Sequence, residues 1–368
     1  MREYSSAAAG MSMWRSVLKR LLRTADPVSR AGLAVATSPE PCDKRAMRDS
    51  LIDSVSAGNA NVAVAADLTA VIVAVTDGQP RVLTIERGQA LPSGPFEPAH
   101  RSLQAGLRSW VETQTHHPLG YVEQLYTFAD QDRQQGTLGR VVSVSYLGLT
   151  REAPVVEGWD AAWQPWYRFF PWEDFRGPGA ALGEAMLGPE LYDWADSADD
   201  PAMQRDRQRR ITINFGLRGQ RWNEDLVLQR YELLWEAGLV AEGRPQTAER
   251  SDTLTAALGQ PMRHDHRRIL ATGIARLRAK IKYRPVVFEL MPPGFTLLGL
   301  QRTVEALAGR LLHKQNFRRL IDQQDLVEET GDVTTETGGR PAKLFRFRRE
   351  VLAERHVAGT KLPLVRAV

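Results

Sequence analysis

A chain of 368 residues with 43% hydrophobic and 25% charged side chains is long for one core and favours two or three domains. Its single cysteine, Cys42, excludes a disulfide framework or a thiolate cluster and fits a reducing, cytoplasmic setting, and no apolar run approaches the length that crosses a bilayer. The net charge of +4 is unevenly shared: residues 261–368 hold 21 Lys/Arg against 11 Asp/Glu, a net of +10, and the remainder holds 27 against 33, a net of −6.

Residues 1–61 are Ala/Ser-rich and weakly patterned, and they read as a poorly ordered N-terminal arm. Trp14, Val17, Leu18, Leu21 and Leu22 share a helical face there, but the continuous apolar stretch of a secretory signal is missing. A first domain is expected over residues 62–242. Leu68–Val75 is a near-continuous β-branched run, the mark of a strand buried on both faces. Asp77-Gly78 then supplies a hairpin turn into a second strand over Arg81–Glu86. A Gly/Pro loop, Leu91–Phe96, precedes a helix over His100–Thr113, with Leu103, Leu107, Trp110 and Val111 on one side. Tyr121–Phe128 and Val141–Leu149 read as further strands.

The segment 151–200 carries Trp159, Trp163, Trp166, Trp172 and Trp194, a density that fits a packed insertion. Glu224–Ala237 reads as a helix, with Asn223 placed to cap it and Gly238 to close it. The polar stretch 243–260 marks the expected boundary.

A second domain is expected over residues 261–368. His264–Lys282 reads as a helix with Ile269, Ile274, Leu277 and Ile281 inward and its arginines outward. Thr296 is placed to cap a helix over Leu297–Ala308, and Gly309 closes it as the turn of a helix–turn–helix requires. The following helix, about His313–Asp322, is anchored by Phe317, Leu320 and Ile321 and exposes Lys314, Gln315, Asn316, Arg318 and Arg319. Gln and Asn can pair with adenine, Arg with guanine, and either cation with phosphate, so this mixture suits a recognition helix in the major groove. A strand from Leu326, a turn-rich tip over Thr330–Gly339 and the alternating Leu344–Arg348 then make a wing, whose arm offers Arg340 and Lys343 to DNA. The order of elements is that of a basic winged helix–turn–helix.

Residues 94–116 resemble the Nudix box, G-x5-E-x7-R-E-U-x-E-E-x-G-U. Gly94 falls on the first glycine, Arg108 on the arginine, Trp110 on the apolar position and Glu112 on one glutamate, while His100, Ser109 and Thr113 replace the other glutamates. The box normally gathers carboxylates that hold Mg²⁺ at a pyrophosphate. Glu112 alone does not supply that cluster, so pyrophosphate hydrolysis is not expected, and a structural pairing with Arg108 is. A Nudix-like domain without its carboxylates, joined to a winged helix, resembles the Nudix-related transcriptional regulators of NAD metabolism (NrtR). It is most similar to their alphaproteobacterial counterpart, the regulators of NAD biosynthesis (NadQ). The resemblance rests on Leu91–Phe96, Leu119–Phe128, Val142–Leu149, Phe170–Arg176, Tyr231–Leu239, Phe295–Leu297, Asn316–Arg319 and Gly339–Ala342, and spans about residues 65–350.

What the resemblance implies is an α+β chain, with a Nudix-like α/β/α sandwich followed by a C-terminal winged helix–turn–helix. It implies a homodimeric repressor of NAD-biosynthesis genes that binds a palindromic double-stranded operator and requires no cofactor. Its Nudix-like domain would sense NAD, ATP or ADP-ribose, with Arg87, Ser93, Phe96, Tyr126, Phe128, Arg133 and Tyr146 as candidate contacts, since arginine holds a diphosphate and an aromatic ring stacks on adenine. The alternatives are a divergent Nudix-type pyrophosphohydrolase with an accessory basic domain, or an adaptor whose winged helix touches only protein.

Overall fold

The apolar run near the start of the first domain lies within a strand of twelve residues, β1 (Ala65–Thr76), the longest among the described residues. The computed structural model describes residues 65–129, 141–154, 160–177, 180–243, 250–335 and 341–348. The arm at 1–61, together with Trp159, Arg133 and Arg340, lies outside them. Asp77 and Gly78, both at positive φ (52° and 69°), turn β1 into β2 (Gln79–Thr84), as the Asp-Gly pair demands. After β3 (Ser93–Pro95), helix α1 (Leu103–Thr115) starts at Ser102, whose side chain accepts the Ala105 N–H. Strands β4 (Tyr121–Phe128), β5 (Val141–Leu149) and β6 (Ala162–Pro165) complete a sheet of order β4-β5-β1-β2-β6, with β3 added beside β1. Among the described residues only β1 and β5 run parallel in this sheet; its remaining pairings are antiparallel.

The alternation of β1 divides the core. Leu68, Ala70 and Ile72 pack with Leu107 and Val111 of α1 on one face, while Val71 and Val73 join a larger cluster on the other. That second cluster collects Trp166, Phe169, Phe170 and Trp172 from two 3₁₀ turns, Trp166–Arg168 and Pro171–Glu173, so this part of the Trp-rich segment is packed interior. A π turn, Gly183–Leu187, leads into α2 (Gly188–Asp196), followed by α3 (Pro201–Phe215) and α4 (Val227–Glu236). Asn223 does not cap α4. Its side chain accepts the Asp225 N–H at 3.0 Å and forms a local turn, and the helix begins one turn later without a side-chain cap.

Short α5 (Asp252–Ala257) precedes α6 (His266–Lys280), which lays Ile269, Leu270, Ile274 and Leu277 across the sheet face opposite α1. Its arginines are not all outward, as helical periodicity suggested. Arg267 and Arg278 are fully buried, because each finds carbonyl or carboxylate acceptors inside. Helices α7 (Leu297–Ala308) and α8 (Lys314–Gln324) and the hairpin β7 (Val327–Thr334) and β8 (Ala342–Phe347) form the winged helix. Phe295 adds a backbone pair to Phe345, a third rung against the wing. Leu300, Val304, Leu307, Phe317 and Ile321 lie in the same apolar cluster as Val71, Leu147 and Ile269. The fold is therefore α+β, a helix-flanked mixed sheet followed by a winged helix whose core is continuous with it.

Candidate nucleic-acid interface and ligand cavity

Helix α8 is the most asymmetric helix among the described residues. Phe317 and Ile321 are buried, while Lys314, Gln315, Asn316, Arg318 and Arg319 are all exposed. No ion pair engages Lys314, Arg318 or Arg319 among the described residues. The five side chains predicted to face DNA thus stand together on one uncovered helix. Thr296 is also where it was expected, as the N-cap of α7, its hydroxyl accepting the Gly299 N–H at 3.0 Å. Lys343, on β8, is held by both oxygens of Glu329 at 2.9 Å, and Arg346 by Glu328 at 2.5 Å. Both wing pairs are solvent-exposed, so a phosphate can displace their carboxylates at little cost.

What sequence reasoning missed is how the turn before α8 is fixed. Buried Glu305 accepts the Leu312 N–H at 2.8 Å and the Gln301 side-chain amide at 2.9 Å, and that amide also donates to the Leu312 carbonyl. A Gln and a Glu four residues apart inside an apolar helix face were the available signal. The preceding carbonyls are received by the sheet-bearing region. The Tyr167 hydroxyl donates to Ala306 (2.6 Å), Arg278 Nε to Leu307 (2.8 Å) and the Phe175 N–H to Gly309 (2.6 Å). Gly309 sits at φ +70°, and a Cβ there would lie 2.2 Å from the Glu173 carbonyl oxygen. Only glycine fits.

Beneath that turn is a buried charge cluster. Glu173 accepts from Arg230 Nε at 2.5 Å and Nη2 at 2.9 Å, and from Arg278 Nη1 at 2.5 Å. Arg230 also donates to the Asn214 and Asn223 carbonyls, so its hydrogen-bonding groups are used. Burial pushes the Glu173 carboxyl up, but the Arg230 and Arg278 guanidiniums outweigh it and hold the group below the ordinary glutamate range.

Helix α1 is pinned to β3. The Trp110 indole donates to the Pro95 carbonyl at 2.8 Å, and Gln114 bonds both backbone groups of Ser93. A Cβ on Gly94 would meet the Trp110 ring at 2.4 Å. Arg108 does not pair with Glu112; its guanidinium turns to the Leu119 and Gly120 carbonyls, which offer fixed acceptors at the helix end. Among the described residues, no three of His, Cys, Asp or Glu gather as a metal site would require.

An open space lies on the other side of the sheet. A cavity of about 1170 Å³ is bounded by the starts of β1 and β5, by β3, and by α3, α4 and the beginning of α6. Of the predicted nucleotide contacts among the described residues, only Ser93 lines it. Tyr146 packs under α1, Phe128 is core beside Arg268, and Tyr126 and Phe96 are partly exposed outside it. Arg87, at φ +56°, binds the Asp160 carboxylate through its backbone N–H next to the cavity residue Glu86. The cavity residues that sequence reasoning missed include Tyr231, Trp235 and Arg268.

Residues 287–347 match the family model of the NrtR DNA-binding winged helix domain. A stretch of 104 residues is 41% identical to the ADPR responsive transcriptional repressor NtrR of Acinetobacter baylyi, covering 28% of this chain and 41% of that protein. The chain thus spans about two fifths of the curated relative it matches. Among solved structures, NrtR of Shewanella oneidensis in complex with a 27mer DNA is 21% identical, with a TM-score of 0.48 over 80% of this chain and 98% of that one. A MutT/nudix family protein of Enterococcus faecalis is 15% identical, with a TM-score of 0.47 over 94% and 100% of the two chains.

Proposed function

We propose that this chain, whose residues 287–347 form an NrtR-like winged helix, is a nucleotide-responsive transcriptional repressor of NAD-biosynthesis genes. The observation that carries the reading is α8: three cations and two amides stand uncovered on a helix whose opposite face is locked into the core. The same surface argues against an adaptor role, since three unpaired cations suit a phosphate backbone better than an apolar protein contact. The relative in Acinetobacter baylyi is named for its response to ADPR, which favours ADP-ribose over NAD or ATP as effector. One winged helix reads a short half-site, so a homodimer on a palindromic duplex is the expected working form. Residues 62–242 then serve to sense and residues 261–368 to bind DNA, with α6 shared between them.

Hydrolysis forms no part of this reading. The residues on α1 do not fit the Mg²⁺ that a Nudix hydrolase carries, because Glu112 is exposed between Ser109 and Thr113 and lacks carboxylate neighbours of the box. The test is a gel-shift titration on a duplex from a promoter of NAD-synthesis genes, with and without ADP-ribose, NAD and ATP, over a salt series. A shift that prefers the promoter sequence, weakens steeply with salt and changes with one nucleotide is expected. Equal retention of promoter and unrelated duplex in every condition would refute the repressor.

A further inference from the structure

The loop between α3 and α4, residues 216–226, is fastened to the turn that seats α8. Its Trp222 ring lies 4.2 Å from the ring of Phe175, whose N–H holds the Gly309 carbonyl. Its Glu224 pairs with Arg310 at 3.7 Å and with Lys282 at 2.9 Å, and Asp225 takes Lys282 at 2.7 Å. The two carboxylates of the loop are thus spent on cations from α6 onward, and its own cations, Arg218 and Arg221, are left over. Both are exposed, and neither enters an ion pair among the described residues. We propose that Arg218 and Arg221 grip the phosphate backbone of duplex DNA beside the segment read by α8, so that the part of the chain given to sensing also holds the operator. The inference rests on the repressor reading and adds a contact outside the winged helix.

The loop is built to display them. Helix α3 ends at Gly216 in the left-handed region (φ +65°), and a Cβ there would stand 2.5 Å from the Trp222 nitrogen, so the chain closes on itself within a few residues. The Gln220 N–H returns to the Leu217 carbonyl at 3.0 Å, which tightens the tip. Arg218 and Gly219 both take positive φ there (51° and 82°), and the Arg218 guanidinium lies 4.0 Å from the centre of the Tyr192 ring on α2. A guanidinium stacked on a ring keeps its edge N–H groups available and has little side-chain freedom left to lose when a phosphate arrives.

Charge and continuity select the partner. With Glu224 and Asp225 neutralised locally, the exposed side of the loop is positive and runs through Arg310 into the turn before Lys314. The polyanion at hand on that surface is the duplex that α8 reads. Contacts of this kind fix register and orientation and carry no sequence information themselves. They add affinity that salt removes.

Fluorescence anisotropy of the full chain on a promoter duplex and on an unrelated one, over a salt series, tests this together with hydroxyl-radical footprinting. Arg218→Gln combined with Arg221→Gln should weaken binding about tenfold and lower the slope of log affinity against log salt by about two for each bound chain. The footprint should shrink at its outer edges, while the preference for the promoter is kept. Arg221→Glu, which leaves the stack on Tyr192 untouched, should weaken binding with an unchanged melting curve. Arg205→Gln, about 15 Å back along α3, should alter none of these readings. Wild-type affinity, slope and footprint in both loop variants would overturn the contact and leave the repressor intact. An equal loss from Arg205→Gln would also overturn it, since overall charge alone would then be felt. Equal retention of both duplexes by the wild type, with the slope still lower in the double variant, would uphold the contact and refute the sequence-specific repressor.

Discussion

Arg230, Arg267 and Arg278 are sealed in the interior, each held by several acceptors, whereas Arg318 and Arg319 stand in solvent on α8 with no carboxylate opposite them among the described residues. The same side chain is used in the first region to fix backbone carbonyls and in the second to await a ligand. The difference lies in what the neighbours supply. Inside, Glu173, Glu242, seven backbone carbonyls and the rings of Phe170, Trp172 and Tyr231 near Arg267 satisfy the guanidiniums before any partner arrives. A positively charged C-terminal segment is therefore a poor guide to DNA contact until the inward cations have been subtracted.

The contrast is broken most severely by Glu173→Gln, which leaves two buried guanidiniums without a counter-charge. A loss of about 3–5 kcal/mol in chemical denaturation is expected. It carries a pH signature. A carboxylate held below its ordinary range contributes stability that is present above about pH 4.3, where unfolded glutamate titrates, and is lost as pH falls through the folded value. The wild type should lose this contribution in acid, and the variant should lack that limb. Gly309→Ala comes next: the left-handed backbone and the approach to Glu173 together predict a loss of about 1–3 kcal/mol, read by thermal melting, with weaker operator binding.

Arg318→Ala sharpens the other side. Operator affinity should drop by about 1–3 kcal/mol in a fluorescence-anisotropy titration, while stability stays within about 0.5 kcal/mol of the wild type. A destabilised Arg318→Ala chain would mean that the outer arginines are structural too. The smallest effect belongs to Glu329→Gln. Releasing Lys343 should leave the melting curve unchanged and slightly strengthen DNA retention at low salt.

Much of the fold was legible. The β-branched run of β1, the Asp-Gly hairpin and the Thr296 and Gly309 punctuation of α7 are local signals, and local chemistry decides them. The exposed set on α8 followed from periodicity, since Phe317 and Ile321 four residues apart leave the opposite face to solvent. The interior arginines were not legible as such, although one clue exists. Arg267 and Arg278 are eleven residues apart, three helical turns, on the same line of α6 as Ile274. Two cations within an apolar stripe imply buried acceptors, but Glu173, which answers Arg278, lies 105 positions away in sequence. Arg267 is answered by Glu242 and by the Phe169 and Leu258 carbonyls, to which no pattern points. The nucleotide contacts were harder still. Aromatic residues such as Tyr146 and Phe128 look alike in sequence whether they stack on a base or fill a core, and tertiary packing made these two core.

The lock at Gly309 has a consequence for the operator itself. With the turn clasped from three sides, α8 is mounted without a swivel. In a symmetric pair of such chains the distance between the two reading heads is inherited from the protein scaffold, and no supple joint can absorb an error. Moving the half-sites apart by half a turn of duplex would then present one of them on the wrong side of the helix axis, making DNA phasing as much a part of the recognised message as its letters.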